Sequence, residues 1–154
     1  MKSLFDRRAL LAAGASALLL LAACGGETPP TVLAVTAQGS AGMNPGPDGV
    51  DRPVTVNILQ LSGTAAFDAA DALALQDPAG ALGADLVKAD QIVLAPGAAA
   101  SKSITVQAGV TTIGVTAGFR DPSGRMTRQK IPVPAASAPV TINVGSGGLS
   151  VSGG

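Results

Sequence analysis

Two apolar patterns divide the chain. From Ala9 to Ala23 there is no charged residue, and the segment is mostly Ala and Leu. Beyond Thr31, apolar residues alternate with polar ones, or come in short runs rich in Val and Ile bounded by Gly, Pro, Asn and Asp. Alternation with a period of two places one set of side chains on each face of a strand. It is clearest where Val54, Val56 and Ile58 oppose Thr55 and Asn57, and where Ile113, Val115 and Ala117 oppose Thr112, Gly114 and Thr116. The pattern predicts strands over 31–38, 53–61, 87–94, 101–107, 110–119, 127–133, 139–144 and 148–152. Between the first two, residues 39–52 are dense in Gly, Pro, Asn and Asp and read as a long loop. Ala95-Pro96-Gly97, Asp121-Pro122-Ser123-Gly124 and Gly145-Ser146-Gly147-Gly148 read as turns.

One stretch breaks the alternation. Residues 64–86 are rich in Ala and Leu, which suits short helices packed on the side of a sheet. Thr64 is a candidate cap for a helix holding Ala65, Ala66 and Phe67, and Asp71 for one over 72–76; 81–86 adds a turn. The expected fold is therefore all-β with a small helical insertion, an antiparallel β-sandwich of about eight strands. Its core must be Val, Ile, Leu and Ala, since Phe67 and Phe119 are the only aromatic residues after the first apolar run.

The opening segment reads as an export signal. Lys2, Arg7 and Arg8 make a positive start, relieved only by Asp6. The uncharged run of 15 residues spans about 22 Å as a helix, short of the roughly 30 Å core of a bilayer. It ends in Leu21-Ala22-Ala23-Cys24, followed by Gly25 and Gly26, which looks like the lipobox of bacterial lipoproteins. On this reading residues 1–23 are removed, the thiol of Cys24 takes the lipid, and 24–30 form a short tether reaching roughly 20 Å when extended. Residues 31–154 are then one periplasmic domain. Asp6-Arg7-Arg8-Ala9-Leu10-Leu11 is also similar to a twin-arginine motif, so both general and folded-state export stay open. Gly25, rather than Asp, after the cysteine favours the outer membrane.

Composition narrows the chemistry. From Cys24 onward there are seven Lys and Arg against nine Asp and Glu, a net charge of −2, with no Trp, Tyr or basic run. That leaves nucleic-acid binding without support. His is absent and the single Cys is committed to lipid, so the usual metal sites and nucleophilic triads lack their parts. No cofactor beyond the covalent lipid, no metal and no small-molecule substrate is expected, and the chain does not read as an enzyme. Asp68 and Asp71 could share a helix face, but solvent-facing charge and capping explain them. Arg120 and Asp121 could pair across a turn. Gly145–Gly148 lacks the Lys of a phosphate loop and suits a hairpin.

A series of short segments in fixed order carries a resemblance. Asn44-Pro45 in the long loop, Pro53-Val54-Thr55-Val56-Asn57-Ile58-Leu59-Gln60-Leu61, Ala66-Phe67-Asp68-Ala69-Ala70-Asp71, Leu82-Gly83-Ala84-Asp85-Leu86, Leu94-Ala95-Pro96-Gly97 and Ile113–Asp121 follow the lipobox at consistent spacing. Together they resemble the TssJ family, also called VasD or SciN, the outer-membrane lipoprotein of the type VI secretion system. Asn57, Leu59 and Thr127 depart from the family pattern, where Arg, Tyr and Trp are usual.

The resemblance implies a transthyretin-like sandwich, anchored by Cys24 to the outer membrane and facing the periplasm. It implies binding to the periplasmic C-terminal region of TssM, and through it TssL, by the loop between the first two strands. Within 39–52 the expected contact residues are Met43, Asn44, Pro45, Gly46, Pro47, Asp48, Gly49, Val50 and Asp51. Pro45 and Pro47 limit backbone freedom and so reduce the ordering cost of binding. Met43 and Val50 offer apolar contact, and Asp48, Asp51 and Arg52 a polar rim. From composition alone this segment reads as a solvated connection; the resemblance reverses that preference. The alternative is an unrelated periplasmic lipoprotein binding module, which would need a groove lined by more aromatic residues than this chain has.

Overall fold

The computed structural model describes residues 27–153. The export segment 1–23, Cys24, Gly25 and Gly26 lie outside the described residues. The strands are β1 (Val32–Gly39), β2 (Val54–Leu61), β3 (Leu86–Leu94), β4 (Ala99–Thr105), β5 (Thr112–Gly118), β6 (Arg128–Pro132), β7 (Ala138–Gly145) and β8 (Gly148–Gly153). Two short helices, α1 (Ala65–Ala69) and α2 (Pro78–Leu82), and two 3₁₀ turns, Ala74–Gln76 and Gly83–Asp85, fill the predicted insertion.

The strands form two four-stranded sheets, β4-β1-β7-β8 and β3-β2-β5-β6. Every pairing is antiparallel except β1 with β7, which is parallel, with Leu33 opposite Ala138 and Gly39 opposite Val144. This departs from the fully antiparallel expectation. The reason is topological: β7 reaches β1 only after the chain has built the whole opposite sheet, so no hairpin dictates opposed directions.

Alternation decides the core. Leu33, Val35 and Ala37 of β1, Val54, Val56 and Ile58 of β2, Ile113, Val115 and Ala117 of β5, and Val140, Ile142 and Val144 of β7 meet between the sheets. Gln60 continues this inward face but is fully buried at its end; its amide nitrogen donates to the Thr105 carbonyl at 3.1 Å and its oxygen accepts from the Gln107 N–H at 2.7 Å. One edge of the sandwich is closed by Lys102 of β4 against Asp90 of β3, at 3.1 Å.

The outer face of the β3-β2-β5-β6 sheet carries a second cluster, in which Leu59 and Leu61 lie under Phe67, Leu75 and Leu82. The helical insertion therefore exists to cover β2, which is apolar on both faces at this end. Gly114 makes the fit possible: a Cβ there would meet the Phe67 ring at 2.9 Å and Leu61 at 3.1 Å. Arg128 of β6 then clasps the end of α1, donating to the carbonyls of Phe67 (2.7 Å), Asp68 (2.9 Å) and Ala70, while Lys130 pairs with Asp68 at 2.7 Å.

The caps are partly redistributed. Thr64 makes no side-chain cap on α1; instead the Ala66 N–H donates to the Asp85 carboxylate at 3.3 Å. Asp71 does accept from the Ala74 N–H, at 2.7 Å, but only a single 3₁₀ turn follows. Asp77 caps α2, which begins at Pro78. Among the described residues no helix is long and apolar enough to cross a membrane.

The strand directions give the molecule two ends. At one, the chain enters β1 beside the close of β4, where the Val106 N–H donates to the Thr31 carbonyl. At the other lie the β1–β2, β3–β4, β5–β6 and β7–β8 connections. The eight residues of β1 separate them by roughly 26 Å at about 3.3 Å per residue.

Candidate partner-binding site

The β1–β2 connection is a braced structure, not a loose loop. Gly39 leaves β1 where a side chain could not fit, since a Cβ would meet the Ala95 carbonyl at 2.8 Å and the Met43 sulfur at 2.9 Å. Met43 fills that space and is completely buried in the main core. It therefore offers no surface to a partner, contrary to the sequence-based expectation; it pins the root of the loop. Its carbonyl accepts from the Arg125 guanidinium, and that guanidinium also lies 5.2 Å from the centre of the Phe119 ring.

Asn44 is buried too, and works in two directions. Its amide nitrogen donates to the Pro53 carbonyl at 3.1 Å, and its oxygen accepts from the Arg120 N–H at 2.9 Å. The β1–β2 and β5–β6 connections are thus tied together through one side chain. Asp51 closes the loop on itself, accepting from the Gly42 N–H at 2.6 Å and the Asn44 N–H at 2.7 Å. These donors, Asn44 first, hold its carboxyl below the usual carboxylate range.

Beyond this frame the chain forms a small hairpin. Pro45 bridges Asp51, the Gly46 N–H donates to the Val50 carbonyl at 2.8 Å, and the Arg52 N–H donates to the Asn44 carbonyl at 3.0 Å. Asp48 accepts from the Val50 N–H at 3.1 Å and pairs with Arg52 at 2.9 Å. The Val50 hydrogen bond and then Arg52 hold the Asp48 carboxyl low. Of the nine expected contact residues, Pro45, Pro47, Asp48, Gly49 and Val50 face solvent, with Gly46 half-covered. Val50 keeps 55% of its surface exposed, which makes it the apolar point of the tip. Met43, Asn44 and Asp51 instead hold that tip in place.

A groove runs beside the hairpin on the outer face of the β3-β2-β5-β6 sheet. One part, of about 440 Å³, has Thr55, Asn57 and Gly118 as floor, with Gln76 on one side and Asn44 and Arg120 on the other. It adjoins a hollow of about 280 Å³ beside Leu73 and Pro122, which shares Gly118, Phe119 and Arg120. Asn57 is satisfied there, receiving from Gln91 at 3.0 Å and donating to Thr116 at 3.3 Å. Asn57, Leu59 and Thr127, the three departures from the family pattern, all lie on this side of the sandwich: Asn57 and Thr127 line the groove system, and Leu59 is buried beneath the helices. Arg120 and Asp121 do not form the expected pair; the Asp121 carboxylate accepts from the Ser123 N–H at 3.1 Å, the main cause of its lowered pKa. The sequence does not single out Arg125, Leu73 or Gln76, because Leu73 and Gln76 belong to the first 3₁₀ turn of the insertion and Arg125 to the β5–β6 connection, and only the fold brings these to one end of the sandwich. Among the described residues no group of three or more His, Cys, Asp or Glu is placed to hold a metal ion.

Residues 31–147 match the model of the T6SS-SciN family, described as type VI secretion lipoproteins that include VasD, EvfM and TssJ. No curated protein sequence matches the chain. Among solved structures, the T6SS lipoprotein TssJ1 from Pseudomonas aeruginosa is 27% identical with a TM-score of 0.74, over 82% of this chain and 98% of its own. Serratia marcescens Lip, a membrane-bound component of the type VI secretion system, is 23% identical with a TM-score of 0.72, over 80% and 98%. A chain in a structure described as the TssM C-terminal domain (869–1107) from EAEC is 23% identical with a TM-score of 0.66, over 79% and 97%.

Proposed function

This chain belongs to the type VI secretion lipoprotein family, and from that premise we propose that it anchors the secretion system's envelope complex to the outer membrane by binding the periplasmic C-terminal region of TssM, and through it TssL. Lipid on Cys24 holds the protein to the inner leaflet of the outer membrane. The hairpin tip, Pro45 to Val50, makes the contact with TssM.

The observation that supports this reading best is the polarity of the fold. The chain enters from the tether at one end of β1, and the braced hairpin stands at the other, roughly 26 Å away. A tether of a few residues keeps the first end near the lipid surface while the second projects into the periplasm. A tip already fixed by Asn44, Asp51 and Arg125 loses little conformational freedom on binding, so more of the contact energy is retained. The buried lining of Met43 separates the roles: the core holds the loop, and the tip meets the partner.

Two variants separate anchoring from binding. Cys24→Ser is expected to leave the outer-membrane fraction yet still co-purify with TssM. A protein shortened across 46–50 is expected to stay in the outer-membrane fraction and lose TssM. Co-purification of TssM with the shortened protein at the wild-type level would sink the tip assignment, and outer-membrane retention of the serine variant would sink the anchor.

A further inference from the structure

The groove across Gly118 is not used by the hairpin tip, and its chemistry is specific. Among the described residues the Arg120 guanidinium makes no hydrogen bond, ion pair or aromatic contact, whereas Arg52, Arg125 and Arg128 are all engaged. Only the backbone of Arg120 is fixed, by Asn44. The side chain thus offers its fork of donors, matched in geometry to a carboxylate, from a root that the β1–β2 connection positions. Gln76 stands across the floor with a side-chain amide that also has no partner among the described residues, able both to donate and to accept as a peptide backbone requires. At the adjoining hollow, Leu73 is 75% exposed beside Pro122. This is a large apolar side chain with nothing covering it, at the edge of a concave surface. The floor between these features is Gly118, where even a Cβ would have only the Thr55 carbonyl near it, at 3.6 Å.

We infer that this groove binds an extended peptide segment carrying a carboxylate side chain on Arg120 and an apolar side chain in the hollow beside Leu73. The inference rests on the reading that this end of the sandwich receives TssM, and it assigns the segment to the same periplasmic region. The volume lies in the range of sites that bury short ligands. A free sugar is a poor fit, because Phe119 is 3% exposed and presents no ring face for stacking. A phosphate would meet only one cation. A peptide uses every feature at once: charge at Arg120, backbone polarity at Gln76, an apolar anchor at Leu73, and a floor without a side chain that permits close approach.

The test uses the full lipidated chain in detergent, with short overlapping synthetic peptides spanning the periplasmic region of TssM from the same cell, read by fluorescence polarisation. At least one peptide with adjacent acidic and apolar residues is expected to bind. R120E should weaken it roughly tenfold and make the residue binding less sensitive to salt. G118V should abolish it by filling the floor; its Cβ meets only the Thr55 carbonyl, at 3.6 Å, and an unchanged thermal midpoint checks that the fold is kept. Removing 46–50 should not affect peptide binding. Retained peptide binding in both R120E and G118V overturns the inference, as does loss of peptide binding on shortening the tip. If no peptide binds, the intact TssM region is titrated instead, and unchanged affinity for G118V overturns it equally. Failure of the tip reading is seen separately, as undiminished affinity of the shortened protein for the intact region.

Discussion

Asn44 carries more of the loop's geometry than any contact residue at its tip. It is 6% exposed and joins two connections through the Pro53 carbonyl and the Arg120 N–H. Asn44→Ala leaves both groups without their partner, which costs about 1–3 kcal/mol. A lower midpoint in thermal unfolding, together with weaker TssM binding, is the expected result; binding without change would mean the tip needs no brace. Asp51 adds a pH dependence. Its folded pKa is lowered, so the stability it contributes is present above the unfolded value near 4 and is lost as pH falls through the lower folded value. The difference in thermal midpoint between the wild type and Asp51→Asn should therefore be fully developed at neutral pH and close below about pH 4. An unchanging difference across that window would show that Asp51 is not acting through its charge. The sequence placed both residues in the right loop but could not divide tip from brace. Met43 illustrates why: a lone apolar residue among Gly, Pro and Asp looks like an exposed contact until the empty space at Gly39 shows where it goes.

At the scale of elements, strands were legible because each face has a consistent environment. Predicted and observed bounds of β2 differ by one residue, and those of β7 and β8 by about the same. Capping was less legible. Thr64 and Asp85 are both plausible partners for the start of α1, and only the fold, which brings the second 3₁₀ turn back to α1, selects Asp85. The pairing of Arg128 with three carbonyls of the insertion is equally silent in sequence, since it links residues about sixty positions apart. The helical cover depends on the contact of Phe67 with Gly114. Gly114→Val forces a branched side chain into that ring and should cost about 1–3 kcal/mol, measured by denaturant unfolding. Because this contact lies neither at the hairpin nor in the lining of the groove, TssM affinity of the folded variant should be unchanged. Loss of binding at full folding would tie the Phe67–Gly114 contact itself to the interface and contradict the division drawn here.

For the whole molecule, the fold class was readable from eight alternating segments and one Ala-rich interruption, but the parallel pairing of β1 with β7 was not. A period of two records which face is buried, not which strand lies alongside or in which direction. That pairing matters, since it is part of the frame that places the tether and the hairpin at opposite ends. On the proposed function, membrane attachment and partner site lie at these opposite ends, so a change at one should leave the other intact. The most direct measurement is calorimetric titration of the periplasmic C-terminal region of TssM into the full lipidated protein and into a protein shortened across 46–50. Tight saturable binding by the first and at most the weak binding of the groove alone by the second, with equal thermal midpoints, is the predicted result. Equal binding by both would contradict the assignment of the hairpin tip as the site that joins the anchored lipoprotein to its partner.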